Sequence, residues 1–193
     1  MRDDHQVVSQ DASPAIADLC RRHLASQGLG TDGVRVGLIE DIDPAERYDS
    51  IVALDVIEHI EDDGAALRAL RGTIAPGGRL LLSVPALSRL YGPKDVAVGH
   101  YRRYDREPLV ALLEREGYTV ESVRYWNAIG VLPVWLTVRV LRKRLDEGFR
   151  YGDRSRAQRL LNDVLRLWFR QVEHRLQPPA GLTLIACARP SDG

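Results

Sequence analysis

The sequence predicts an α/β fold: a doubly wound, mostly parallel sheet with helices on both faces, in one domain. Three observations carry that reading. Short apolar runs alternate with helical patterns over the first two-thirds of the chain, as parallel sheets require. Three of those runs end in acids or are followed at once by one: Asp11, Glu40-Asp41 and Asp55. The chain has 193 residues, 45% hydrophobic and 28% charged, which is ordinary globular composition and enough to bury a core without disulfides or metal staples.

The elements follow in order. Gln6–Gln10, with Val7 and Val8, reads as a short strand ending at Asp11. Ser13-Pro14 supplies an N-cap and a proline at the first helical position. Ile16, Leu19, Cys20 and Leu24 then recur at helical spacing up to a stop at Gly28. Val34–Ile39 and Ser50–Leu54 are the second and third strands. Leu67, Leu70 and Ile74 mark the next helix, closed by Pro76-Gly77-Gly78. Arg79–Val84 contains Leu80-Leu81-Leu82, the unbroken run expected of a central strand buried on both faces. Asp105 is placed to cap a helix carrying Leu109, Leu112 and Leu113, which Gly117 ends, and Thr119–Tyr125 alternates like an outer strand. After Tyr125 the pattern turns helical over 126–176. Ala157, Leu161, Val164, Trp168 and Val172 lie on one face of an Arg-rich amphipathic segment there. Pro178-Pro179 ends it, and Leu182–Ala188 is the last strand. The predicted organisation is one domain, 1–193, with a sheet core at 1–128 and 180–190 and a helical insertion at 129–178.

Composition excludes several classes. The chain carries 27 basic and 27 acidic residues, for no formal net charge, and has no aromatic-interleaved basic platform, which argues against nucleic-acid binding. The charge is uneven: residues 1–100 hold 10 basic and 16 acidic groups, residues 101–193 hold 17 and 11. Cys20 and Cys187 are far apart and form no CxxC, so neither a disulfide framework nor a zinc ribbon is expected. The N-terminus reads as no signal peptide. The longest uncharged apolar run, Trp126–Val138, is 13 residues, against about 20 for a spanning helix. A cytoplasmic protein is expected.

The acids at the strand ends, followed by Ile74-Ala75-Pro76-Gly77-Gly78-Arg79-Leu80-Leu81-Leu82, resemble the class I S-adenosylmethionine-dependent methyltransferases. The branch with a "DVIEHI" segment, here Asp55 to Ile60, and a "GHYRRY" segment, here Gly99 to Tyr104, is similar along Val7 to about Asn127 and again at Gly181–Arg189. The resemblance implies a Rossmann-like sheet with an antiparallel last strand, and S-adenosylmethionine as cofactor. Residue by residue it implies that Asp11, with its neighbour Ala12, meets the ribose hydroxyls. Asp41 and Ile42 would meet the adenine amine and ring, and Asp55 and Val56 would lie beside the methionine portion and the substrate. Two hydroxyl donors and an exocyclic amine want ionised acceptors. One departure stands out. The family's first strand and glycine-rich loop should precede Val7, where only Met1–Gln6 stands, and the sequence has no GxGxG. A truncated chain is expected, from a misplaced gene start or a fragment, with a remodelled relative as the alternative. The chain as given is then expected to bind the cofactor weakly or not at all.

Methyl transfer is an in-line displacement in which alignment supplies much of the rate, and an oxygen or nitrogen acceptor gains from a base. The candidates for that role are His59, His100 and Tyr104, while His5, His23 and His174 read as surface residues. In the resemblance the loop that carries Gly99 to Tyr104 can cover the site as a lid, and Arg102-Arg103 reads as an anchor for that lid more than as a fork for an anionic substrate. No metal is assigned. Asp55, Glu58 and His59 nevertheless have i, i+3, i+4 spacing, with His100 able to approach from the lid, and similar sets occur in the metal-assisted small-RNA 2′-O-methyltransferases and, less surely, in the ubiquinone-pathway O-methyltransferases. Glu58 could instead cap the helix that follows. Rings of His59 and His100 more than about 8 Å apart would argue against such a site, since ligands lie near 2 Å from an ion. The expected acceptor is a small molecule or a lipid- or sugar-linked one. Residues 129–177, with 11 basic and 5 acidic groups, read either as helices that cover the sheet with their Arg side chains in solvent or as a segment in peripheral contact with the inner membrane face. Two other classes compete: a catalytically inactive binding or regulatory module, and a nucleotide-binding dehydrogenase, which also needs the glycine fingerprint.

Overall fold

The computed structural model describes residues 6–131, 168, 171, 175 and 177–191. They fall into two compact units, residues 1–47 and 48–193. Most of the expected helical insertion, 129–178, lies outside the described residues.

The first unit is a βαβ element. Strand β1 (Ser9–Asp11) pairs in parallel with β2 (Val34–Val36), with Ser9 opposite Val34 and Asp11 opposite Val36. Helix α1 (Pro14–Ser26) connects them. It starts where the sequence places it: Ser13 Oγ accepts from the Ile16 N–H at 3.4 Å, and Pro14 occupies the first turn. Gly28, at φ 70°, supplies the left-handed residue that ends the helix. Gly33 has a different reason to be glycine, since a Cβ there would lie 2.4 Å from the Val7 carbonyl oxygen. A 3₁₀ turn, Ile39–Asp41, follows β2.

The second unit holds a four-stranded sheet in the order β3-β4-β6-β5. Strands β3 (Tyr48–Leu54) and β4 (Ile74–Pro85) are parallel, and β6 (Thr183–Pro190) runs antiparallel to both of its neighbours, β4 and β5 (Tyr118–Trp126). The expected antiparallel last strand is therefore present, inserted beside β4. Register puts Ala53, Leu82 and Ala186 side by side, with Leu80 opposite Ala188 and Val84 opposite Leu184. That face is buried. Helices α2 (Asp63–Thr73) and α4 (Arg106–Arg115) contribute Leu67, Leu70, Leu109 and Leu113 to the same core. The Tyr118 hydroxyl donates to the Leu67 carbonyl at 2.8 Å, tying β5 to α2.

Three local expectations are corrected. Leu81 is 39% exposed between buried Leu80 and Leu82, so β4 alternates rather than burying both faces. Val52, Leu54 and Ile185 are exposed on the same side of the sheet. Ile74 belongs to β4 and not to the helix: it pairs with Tyr48, and the chain bulges through Pro76-Gly77-Gly78 before Arg79 meets Ser50. Asp105 precedes α4 but makes no side-chain cap. Its carboxylate accepts from both the backbone N–H and the hydroxyl of Ser88 instead, which pins the loop leaving β4.

Candidate active site

Strand β3 is followed at once by Asp55, whose φ of 52° turns the chain sharply; aspartate tolerates this left-handed region better than most residues. The Asp55 N–H donates to the Ser83 carbonyl at 2.9 Å and its Oδ1 accepts from the Ser83 hydroxyl at 3.1 Å. A 3₁₀ turn, Ile57–His59, follows. This turn is tighter than an α-helix, so the i, i+3, i+4 argument does not hold for all its members. Glu58 and His59 join His100 in a set whose ligand atoms all lie within 4.8 Å of one another. Asp55 is not part of that set.

The cluster has an unusual electrostatic balance. Glu58 is fully buried, and among the described residues neither carboxylate oxygen has a hydrogen-bond partner. Burial pushes its pKa up to about 7; its own backbone N–H opposes this, and the nearby Asp55 adds to it. His59 Nδ1 lies 3.2 Å from the Gly99 carbonyl oxygen, and His100 Nδ1 lies 3.2 Å from Asp95 Oδ1. Both partners are acceptors, so in the neutral imidazole the proton sits on Nδ1 and the lone pair is left on Nε2. The rings meet edge to face with centroids 4.6 Å apart, well inside the limit set above. His100 Nε2 stands 4.0 Å from Glu58 Oε1, too far for a direct hydrogen bond. Burial, and next the neighbouring His59, hold the His100 pKa below its ordinary value.

The lid is fastened on every side. Tyr101 N donates to the Glu58 carbonyl at 2.8 Å, and Tyr91 Oη donates to the His100 carbonyl at 2.8 Å. Gly99, at φ 82°, is the residue that lets its carbonyl turn toward His59. Arg102 pairs with Asp63 at 2.7 Å and with the Glu61 carbonyl at 2.6 Å. Arg103 donates to Asp95 at 2.8 Å and to the Ala86 carbonyl at 3.2 Å. Both guanidinium groups are thus engaged as anchors. Tyr104 is 5% exposed and its hydroxyl donates to Asp63 at 2.9 Å. Burial and that bond push its pKa well above the ordinary phenol value, so it has the surroundings of a strut and not of a base. Glu58 does not cap α2; Asp62 does, accepting from the Ala65 N–H at 2.8 Å.

In the first unit, Asp11 ends β1 and Ala12 follows it, both exposed, and Asp41 is exposed with Ile42 half-buried after β2. Asp11 Oδ1 accepts from the Ser13 N–H at 2.7 Å, and Asp41 Oδ2 from the Leu38 N–H at 2.7 Å. Each carboxylate keeps one oxygen with no hydrogen bond among the described residues. That fits a ligand offering hydroxyl and amine donors beyond the carboxyl ends of parallel strands. Val56, half-buried, follows Asp55. Sequence reasoning missed Asp95, which is 2% exposed and holds His100; its one signal is an acid five residues before the histidine.

Parallel strands ending in acids, with a reversed last strand between β4 and β5, define a class I S-adenosylmethionine-dependent methyltransferase domain. A family model described as "Methyltransferase domain" matches residues 3–123, and the chain belongs to that family. S-adenosylmethionine is the cofactor of this class, as the sequence led us to expect. The chain is 32% identical over 133 residues to a ubiquinone biosynthesis O-methyltransferase of Xanthomonas axonopodis pv. citri, covering 61% of this chain and 55% of that protein. It is 36% identical over 78 residues to the Bradyrhizobium enzyme of that name, covering 40% of this chain and 30% of that protein. Among solved structures, an S-adenosylmethionine-dependent methyltransferase from Clostridium acetobutylicum superposes with a TM-score of 0.57 at 10% identity, covering 97% of this chain and 76% of that one; this likeness is one of fold. Among the described residues, no helix is long and apolar enough to cross a membrane.

Proposed function

We propose that this domain, with the family's first strand and glycine-rich loop in place, transfers a methyl group from S-adenosylmethionine to a hydroxyl oxygen of a small-molecule acceptor, with a divalent metal held by Glu58, His59 and His100. The observation that carries this reading is the fully buried, unpartnered carboxylate of Glu58 beside two imidazoles. An orphaned buried carboxylate costs several kcal/mol, and a cation is the partner that would satisfy it together with two Nε2 lone pairs. Two imidazoles and one carboxylate suit Mn²⁺, Fe²⁺ or Zn²⁺ better than Mg²⁺. When bound, such an ion lowers the pKa of a hydroxyl that reaches it.

The chain's own part is positioning. His59 and His100 are held by Gly99 and Asp95 with Nδ1 protonated, and Arg102 and Arg103 fasten the lid that carries His100. On this reading Asp11 and Ala12 meet the ribose, Asp41 and Ile42 the adenine, and Asp55 and Val56 the methionine portion. Acceptor and methyl are aligned, which is where most of the acceleration originates. The relatives are named ubiquinone biosynthesis O-methyltransferases, which supports oxygen as the acceptor atom. A lipid- or sugar-linked acceptor, with peripheral contact at the inner membrane face, is the finer form of the proposal. It is supported by the basic composition of 129–177. One methyltransferase-like domain spanning 1–193 belongs to the same reading.

The test is transfer of labelled methyl from S-adenosylmethionine to a panel of phenols and catechols, by a form that carries the family's first strand and glycine-rich loop ahead of Val7. Label transfer that chelation abolishes and Mn²⁺ restores is the expected result. Transfer that survives exhaustive chelation refutes the metal, and intact cofactor binding without any transfer favours an inactive module.

A further inference from the structure

The side chain of Asp95 is nearly as buried as that of Glu58, yet it lies one layer behind the cluster. It sits in the short helix α3 (Pro93–Ala97), and its carboxylate has three donors. Oδ1 accepts from His100 Nδ1 at 3.2 Å and from Arg103 Nε at 2.8 Å, and Oδ2 accepts from the Gly92 N–H at 2.9 Å. Its backbone carbonyl accepts from the His100 N–H at 2.9 Å. Side chain and main chain of one residue therefore grip both the ring and the backbone of His100. His59 has no such brace; its Nδ1 partner is the Gly99 carbonyl, next in sequence to His100.

We infer that Asp95, braced by Arg103, is a positioning residue that fixes His100 as the Nδ1–H tautomer and keeps its Nε2 aimed at Glu58. This rests on the proposed metal reading for its purpose, though not for its geometry. An imidazole without such a partner exchanges tautomers and rotates, and the Nε2 lone pair is then at the cluster only part of the time. Removing a carboxylate that orients a metal-binding histidine lowers metal affinity by roughly 10- to 100-fold. Arg103 acts one step further out, since it clamps the same Oδ1 that receives the ring proton. Its loss frees the Asp95 carboxylate to swing.

The experiment combines Co²⁺ titration, read by visible absorption, with ¹⁵N spectra of the histidine rings in the metal-free chain. The variants are Asp95→Ala and Asp95→Asn, with Asp105→Asn as a control that loosens the loop elsewhere. In the parent, His100 should show a protonated Nδ1 and a bare Nε2. Asp95→Ala should mix the His100 tautomers and weaken Co²⁺ by roughly 10- to 100-fold, while Asp105→Asn stays within about twofold. Asp95→Asn keeps an acceptor oxygen but loses the ion pair to Arg103, so a smaller loss is expected. That variant carries the test if Asp95→Ala does not fold. Unchanged His100 resonances together with unchanged Co²⁺ affinity in Asp95→Ala and Asp95→Asn would overturn the inference. A parent that takes up no Co²⁺, yet whose His100 tautomer still depends on Asp95, supports the positioning role and overturns the metal reading instead.

Discussion

Replacing Glu58 by glutamine in the metal-free protein should abolish one specific pH dependence of stability. The Glu58 carboxyl is fully buried without a hydrogen-bond partner among the described residues, and its pKa rises from 4.5 in an ordinary glutamate to about 7. The folded state therefore holds this proton over a range in which the unfolded chain has already released it. Stability is unaffected by Glu58 below pH 4.5, falls as pH rises through the window up to about 7, and stays low above it. At roughly 1.4 kcal/mol per pH unit, that window is worth about 3 kcal/mol. Glutamine carries no ionisable proton, so the variant lacks the slope whatever constant penalty its buried amide adds. The assay is urea denaturation of chelator-treated parent and Glu58→Gln protein across the window. The difference between the two should move by about 3 kcal/mol in favour of the variant from low to high pH. Titratable groups remote from Glu58 cancel in that difference, whereas His100, 4.0 Å from it, is coupled to its charge. Excess Mn²⁺ should stabilise the parent most at the alkaline end and leave the variant little changed. A parent-minus-variant difference that is flat with pH would refute the reasoning from burial.

Three further outcomes follow from named contacts. In a form extended at its N-terminus by the family's first strand and glycine-rich loop, Asp11→Ala should weaken S-adenosylmethionine by about 1.5–3 kcal/mol, the value of a charged acceptor lost from a hydrogen bond. Calorimetry reads it, and unchanged affinity would make Asp11 only the residue that holds Ser13. Tyr104→Phe should cost about 1.5–3 kcal/mol in denaturation experiments, because its hydroxyl donates to the Asp63 carboxylate. An intact stability with loss of one limb of the pH–rate profile would instead make it a base. Liposomes rich in anionic lipid should capture the chain in a salt-sensitive way through 129–177, and flotation without salt dependence would speak against that contact.

How far the site was legible depended on whether each residue's role was local or tertiary. The strand ends were readable because apolar runs stop at Asp11 and Asp55, and both do end or follow strands. The start of α1 was readable because Ser13-Pro14 is a local signal with a local partner. Ile74 was misplaced because a β-branched residue at a helix end also begins a strand, and pairing with Tyr48 decided it. Asp105 looked like a cap, but Ser88, 17 residues away, offered two donors. Asp55 fell outside the His–Glu set because the turn after it is 3₁₀ and its own backbone is left-handed. His100 was foreseen on the lid. Asp95 was not, because its value lies in contacts with His100 and Arg103 that exist only once the loop has closed on itself.

The central claim is that Glu58, His59 and His100 hold a metal at the reacting end of a methyltransferase site. Its most direct test is a crystal of the protein soaked in Mn²⁺, with diffraction recorded at the manganese absorption edge. The account predicts one strong anomalous peak about 2.0–2.3 Å from a Glu58 carboxylate oxygen and from Nε2 of both His59 and His100, with neither Nδ1 involved. An empty cluster in the presence of saturating Mn²⁺, or a peak bound through other residues, would contradict it.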